Sequence, residues 1–345
     1  MISREEIYTM LILRQRQETL FSTLPIELIQ EISDYGQDPN SDIANALHHA
    51  AYARKEDVEA LLIMLDKNPR LLLQAGNVTT PGGDEIRRVT LYEFLLGAGD
   101  YELAEKVQAY FEKIEHGSQE RIRQYERYRQ HIEGMLTQKP YDLSPLIELI
   151  KKASPEEVNA LLNKDTTGED ELCKAILQFR KDWAPRILLK PCMHYNYASL
   201  QQAFELLDKE WDNLYKASGN NYDMIDLVWR QLIGFEMRRL PGIDRCVMAQ
   251  GFYYVIEEKE ALARSYNLRS GAAKVFPVSI TDDSLDGLGG DFAVLGNGAR
   301  VVSGVGRIGR EAWRRTHPME NLCRTKTSNL QNLCSHTQLG SRARV

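Results

Sequence analysis

A mainly α-helical fold is what this sequence predicts: stacked helical pairs with a short β-hairpin, then a second α-helical domain, then a Gly-rich flexible tail. Three observations lead there. Apolar residues recur at helical spacing in several stretches before residue 268. Helix start signals are frequent. Strand patterns gather at one place, beside a Pro-Gly-Gly turn.

The start signals come first. Ser3/Glu6, Thr90/Glu93 and Ser154/Glu157 have capping-box spacing, in which two side chains reciprocally satisfy free amide hydrogens. Ser144-Pro145 and Ser154-Pro155 put proline where a first helical turn tolerates it. Leu200, Ala203, Phe204, Leu207, Trp211 and Leu214 line one face of a helix, and Ile225, Val228, Trp229 and Leu232 another. Pro241-Gly242 ends the second of these, and a further helix is expected over Asp244 to Arg264. Leu71–Gln74 and Ile86–Val89, flanking Pro81-Gly82-Gly83, predict the hairpin.

The tail differs in composition. Nine of the chain's 23 glycines lie between Gly271 and Gly309, and from Arg310 to Val345 seven Lys/Arg face two acids. Such a stretch buries little apolar area against the roughly 1–2 kcal/mol per residue that backbone ordering costs. Residues 269–345 are therefore expected to be poorly ordered.

Global properties narrow the function. A net charge of −6 gives no general attraction for nucleic acid or an anionic membrane. No apolar run reaches the roughly 18–20 residues of a membrane span, and the first twenty residues do not read as a secretory signal. Five cysteines without a CxxC pair argue against a disulfide framework, so a reducing aqueous setting is expected.

Candidate chemistry is thin. Gly304-Val305-Gly306-Arg307-Ile308-Gly309 has a dinucleotide-loop spacing, but no acid follows Glu320 to hold a ribose. Asp282-x-Ser284-x-Asp286-Gly287 opens like a calcium loop, yet Ala293 stands where the closing glutamate belongs. Cys192, His194, Cys323, Cys334 and His336 lack paired zinc spacing. No cofactor and no metal are expected. Arg121, Arg123, Tyr125, Arg127, Tyr128 and Arg129 interleave base and aromatic, but the acids among them favour a solvated helix face. An enzyme remains the alternative, with a site in residues 190–300 where Cys192, His194, Asp282, Asp283, Asp286 and Asp291 collect.

Asn45-Ala46-Leu47-His48-His49-Ala50-Ala51, followed by Val58, Leu61 and Leu62 and then Asn68-Pro69, resembles an ankyrin repeat. A second unit starts at Thr90-Leu91-Tyr92-Glu93-Phe94 and runs through Gly99-Asp100 to Val107. Leu47 and Leu91 are 44 residues apart, against about 33 in a standard repeat; the hairpin accounts for the surplus. Leu146–Lys152 and Glu156–Leu162 are expected as a third helix pair that continues the stack without the sequence motif. Residues 41–138 are thus expected as ankyrin-like repeats and 139–268 as an α-helical domain. Helices of this kind hide their apolar faces only against neighbouring pairs and leave a broad surface for partners. In the ankyrin likeness His48 and His49 are structural, tying adjacent turns. Ordinary helical hairpins of a globular domain are the other reading.

Residues 1–40 hold one more likeness. Phe21 to Ile32 resembles the opening of an F-box, which docks on the Skp1 adaptor of ubiquitin ligases. Leu24, Leu28, Ile29 and Ile32, with Pro25 at the helix start, would form the docking edge. The alternative is a helix that caps the first repeat. Together with Asn40–Ala44, Asn68–Thr79, His194–Tyr197, Trp229–Gly234 and Ala249–Tyr254, these stretches resemble the F-box-like and ankyrin-like effectors of Legionella-type intracellular bacteria. That likeness implies a protein–protein interaction adaptor delivered by a type IV secretion system into the host cytoplasm. There it would bind a host protein and use host ubiquitin machinery. A scaffold kept in the bacterial cytoplasm is the lesser alternative.

Overall fold

The structure, a computed structural model, describes residues 41–83, 85–136, 141–163, 165, 167–187, 197–237, 240–251, 253–270 and 274–277, and of the last stretch 321, 322, 324–326 and 328. The fold is mainly helical, with two small two-stranded antiparallel sheets.

Two helical pairs form the first block. α1 (Asp42–Tyr52) and α2 (Lys55–Lys67) make one pair, and α3 (Leu91–Ala98) and α4 (Tyr101–Gln108) the other. First helix packs on first helix and second on second: α1 touches α3, and α2 touches α4. Small alanines permit this approach, since Ala46, Ala50 and Ala51 of α1 are buried with Leu47. Each first helix ends on a residue in the left-handed region, Ala53 (φ 56°) and Gly99 (φ 67°). The chain then turns directly into the second helix. Counted back from these turn residues, Leu47 lies deep in α1 whereas Leu91 opens α3, so the turns match better than the leucines do.

Between the pairs stands the hairpin of β1 (Ala75–Thr79) and β2 (Glu85–Thr90), with Gly76 opposite Val89, Val78 opposite Ile86 and an irregularity between. There Arg88 takes φ 57°, and its amide donates to Asn77 Oδ1 at 2.9 Å. The first strand begins later than Leu71, because Pro69–Leu73 is a 3-10 turn. Proline at its start needs no amide partner, and Leu71 and Leu72 feed the core instead.

α5 (Gly117–Leu136) packs on α3 and on the 3-10 turn Ala109–Lys113 that follows α4. Its tyrosines do not face solvent. Tyr125 and Tyr128 are core residues, while Arg123, Arg127 and Arg129 pair with Glu120, Glu93 and Glu126. Gln124 is a buried polar nail: its amide donates to the Leu72 carbonyl at 2.8 Å, and its oxygen accepts from the Thr90 hydroxyl at 2.7 Å. Thr90 and Glu93 form the capping box that starts α3.

The second block has its own core. α6 (Ser144–Lys152) and α7 (Pro155–Leu162), with the Ser154/Glu157 capping box, are the third pair. They pack on α8 (Glu171–Ile187), α9 (Tyr197–Ala217) and α10 (Asp223–Val228) rather than on the first two pairs. α9 buries Leu200, Ala203, Phe204, Leu207 and Leu214 at the expected spacing. After α10 the chain widens into a π turn, Trp229–Ile233, where buried Gln231 donates to the Leu161 carbonyl at the end of α7. α11 (Gly234–Met237) and α12 (Gly242–Gln250) follow. α12 ends at Gly251, φ 101°, so no helix continues to Arg264; a π turn, Tyr253–Glu257, and an irregular stretch take its place.

The loose-tail expectation narrows at two places. β3 (Asn267–Ser270) pairs with β4 (Lys274–Pro277), and helical residues occur within 321–328. No helix among the described residues is long and apolar enough to cross a membrane.

Candidate interaction site at the helix-pair turns

The two turns after α1 and α3 gather most of the buried charge on the first block. At the first, Asp57 near the start of α2 accepts from Arg54 Nε at 2.6 Å and lies 3.0 Å from His49 Nδ1. Burial alone would raise the Asp57 carboxyl; the bonds from Arg54 and His49 more than reverse this and hold it below the usual range. Arg54 reaches both oxygens and His49 shares Oδ1 with it, which makes the group a brace between α1 and α2. The histidine bond therefore stays within one pair instead of reaching the next unit's turn. His48 stays on the surface and its ring lies 4.3 Å from that of Tyr52. Burial and the neighbouring His49 lower its pKa.

At the second turn, Asp100 caps α4 through the Leu103 amide at 3.2 Å and is 2% exposed. Arg264 meets it with two 2.8 Å hydrogen bonds in a bidentate fork. The same guanidinium reaches the Ala53 carbonyl at 3.3 Å, so one side chain touches both turns. Its main-chain oxygen accepts from the Lys55 amide at 2.9 Å, the first of α2. Burial disfavours the charged guanidinium, but Asp100 outweighs it and the cation is held on even more firmly than usual.

Neighbouring residues extend the seam. Tyr266 donates to the Tyr52 carbonyl at 2.6 Å, and burial pushes its phenol well up. Cys246 points its sulfur at the Ala53 carbonyl, 4.0 Å away, and burial raises this thiol far beyond nucleophilic range. Lys326 places its ammonium 2.5 Å from Asp244 Oδ1 and 3.2 Å from the Gly99 carbonyl. α12 presses on α1 where Gly242 lacks a side chain.

Chemically, this seam is a clamp. The carboxylates are matched to cations in place, and the arrangement is suited to gripping a chain segment that carries positive charge.

No family model, curated protein or solved structure matches this chain.

Of the residues singled out in the sequence, Leu24, Pro25, Leu28, Ile29 and Ile32 lie outside the described residues, as do Cys192, His194, Asp282, Asp283, Asp286, Asp291 and the Gly304–Gly309 loop. Among the described residues, no three His, Cys, Asp or Glu side chains are grouped to hold a metal ion. Sequence reasoning passed over Asp100, Asp244, Arg264 and Lys326. In the sequence Gly99-Asp100 stands only as part of the second repeat-like unit, and its partners come from far along the chain.

Proposed function

We propose that this protein is a protein–protein interaction adaptor, with the ankyrin-like helical pairs as its docking platform. One observation carries the reading: α1 packs on α3 and α2 on α4, so helices stack in corresponding rows. Rows of this kind bury one face of each pair against the next and leave the remaining faces as an extended platform. The seam at the turns supports the same view, because it already grips chain segments through ionic contacts.

In the effector reading, a type IV secretion system delivers the protein to the host cytoplasm, where the platform holds a host protein. The edge made by Leu24, Pro25, Leu28, Ile29 and Ile32 would recruit Skp1 and bring the ubiquitin machinery to the bound protein. Pull-down of host lysate on the full-length chain tests the recruitment arm. Skp1 recovered by wild type and lost with Leu24→Ala/Pro25→Ala is the expected result. Equal recovery from both, or none from either, ends the F-box-like reading and leaves only a scaffold.

A further inference from the structure

The C-terminal residues that the structure describes are held at three points. Asn321 Nδ2 donates to Glu257 Oε1 at 2.6 Å, Leu322 is buried in the second core, and the ammonium of Lys326 lies 2.5 Å from Asp244 and 3.2 Å from the Gly99 carbonyl. Asp244 is fully buried and Lys326 only 8% exposed. The carboxylate and the ammonium meet where both are shielded from water, so this place favours a positive charge. The carbonyls of Ala98 and Gly99, at the negative end of α3, add to that demand.

The socket is also shaped. A Cβ on Gly99 would stand 3.0 Å from both Cδ and Nζ of Lys326. Glycine thus leaves room for a slim aliphatic stem, which suits lysine better than the broad planar fork of arginine. Leu322 and Lys326 are four residues apart, one above the other on a helix face. Side-chain contacts fasten this helical stretch to the body of the protein. Its side-chain anchors keep it in place, and those are features that a separate peptide would share.

We propose that the socket of Asp244, Ala98 and Gly99 is a recognition site for a helix bearing a leucine and a lysine four residues apart, and that the stretch carrying Asn321, Leu322 and Lys326 is its built-in occupant. A partner helix of the same chemistry displaces that occupant, and the tail thereby restrains binding until such a partner arrives. The partner's role rests on the adaptor reading, whereas the socket itself is testable on the purified chain.

A fluorescently labelled peptide of residues 318–330 is titrated into full-length wild type and into full-length Leu322→Ala/Lys326→Ala, followed by anisotropy. The emptied variant should bind it roughly tenfold or more tightly than wild type, because in wild type the resident segment competes. Adding Asp244→Asn to that variant, or replacing the peptide's lysine by alanine, should abolish binding. Equal binding to wild type and variant, no binding to the folded variant, or binding that survives Asp244→Asn overturns the proposal. A stable wild-type dimer formed by exchange of tails also overturns the cis arrangement. If the double variant fails to fold, hydrogen exchange on wild type decides: excess peptide should speed exchange of the 324–326 amides, and unchanged exchange refutes displacement. Failure to recover Skp1 from lysate would leave each of these results standing.

Discussion

Removing the guanidinium of Arg264 is the sharpest test of how the two blocks are joined. Arg264→Met keeps most of the aliphatic stem and deletes the fork. Two 2.8 Å bonds to Asp100 and one of 3.3 Å to the Ala53 carbonyl disappear together. The contact to Glu102 at 3.3 Å matters little, because that carboxylate is 59% exposed and screened by water. Asp100, 2% exposed, would keep the Leu103 amide but no full charge partner. Breaking a buried pair from one side typically costs about 3–5 kcal/mol, a large share of the roughly 5–15 kcal/mol that holds a domain folded. Asp100→Asn retains a good helix cap while removing the charge. The double variant Asp100→Asn/Arg264→Met should therefore be more stable than the two single losses predict, by about 1.5–3 kcal/mol. Urea unfolding followed by far-UV circular dichroism measures all four proteins, with the midpoint compared at equal slope. A loss below about 1 kcal/mol for Arg264→Met, or additivity within about 0.5 kcal/mol, would refute the clamp.

Other perturbations probe the remaining joints. Gly242→Ala should destabilise by about 3 kcal/mol or prevent folding, since its Cβ would sit 2.1 Å from the Ala51 carbonyl oxygen; thermal melting reads this directly. Asp57→Asn should cost stability at pH 7 but not in acid: the folded carboxyl titrates below its unfolded value of about 3.9, so its contribution is present above that pH and is lost as pH falls through the folded value. Wild-type and variant melting temperatures that stay equally far apart from pH 7 to pH 3 would contradict the brace. Gln124→Leu should cost about 1–3 kcal/mol, because it removes the buried donor to the Leu72 carbonyl and one of the partners of the Thr90 hydroxyl, which keeps Glu93; denaturant titration measures it. Cys173 and Cys246, both buried with thiols raised by burial, should resist iodoacetamide in the native protein at pH 8 and react after unfolding, as peptide mass mapping would reveal.

Local rules made much of the helical framework readable. The Thr90/Glu93 and Ser154/Glu157 boxes cap the helices they were expected to cap, and the spacing of Leu200 through Leu214 marks the buried side of α9. Both signals act within four residues, so a single sequence carries them in full. The hairpin was legible as a turn, but its first strand slid past Leu71 because a proline-started 3-10 turn claimed those leucines. Arg121 to Arg129 looked like a wetted face, yet Tyr125 and Tyr128 are core residues: their aromatic area outweighs the charges beside them, which reach solvent on long stems. The seam was not legible at all. Asp100 and Arg264 are 164 residues apart, and periodicity does not reveal which distant cation meets which carboxylate.

That distance has a consequence for how the molecule is made. Helical pairs close from near neighbours and form quickly, whereas contacts between remote parts of a chain are slow to arrive. The N-terminal pairs leave the ribosome first, and Asp100 must then wait in water for a guanidinium synthesised 164 residues later. The Gly99 carbonyl waits longer still, for an ammonium 227 residues downstream. Fastening of the seam is thus expected to follow the helical pairs, and until then Asp100 stands without the guanidinium that covers it in the finished protein.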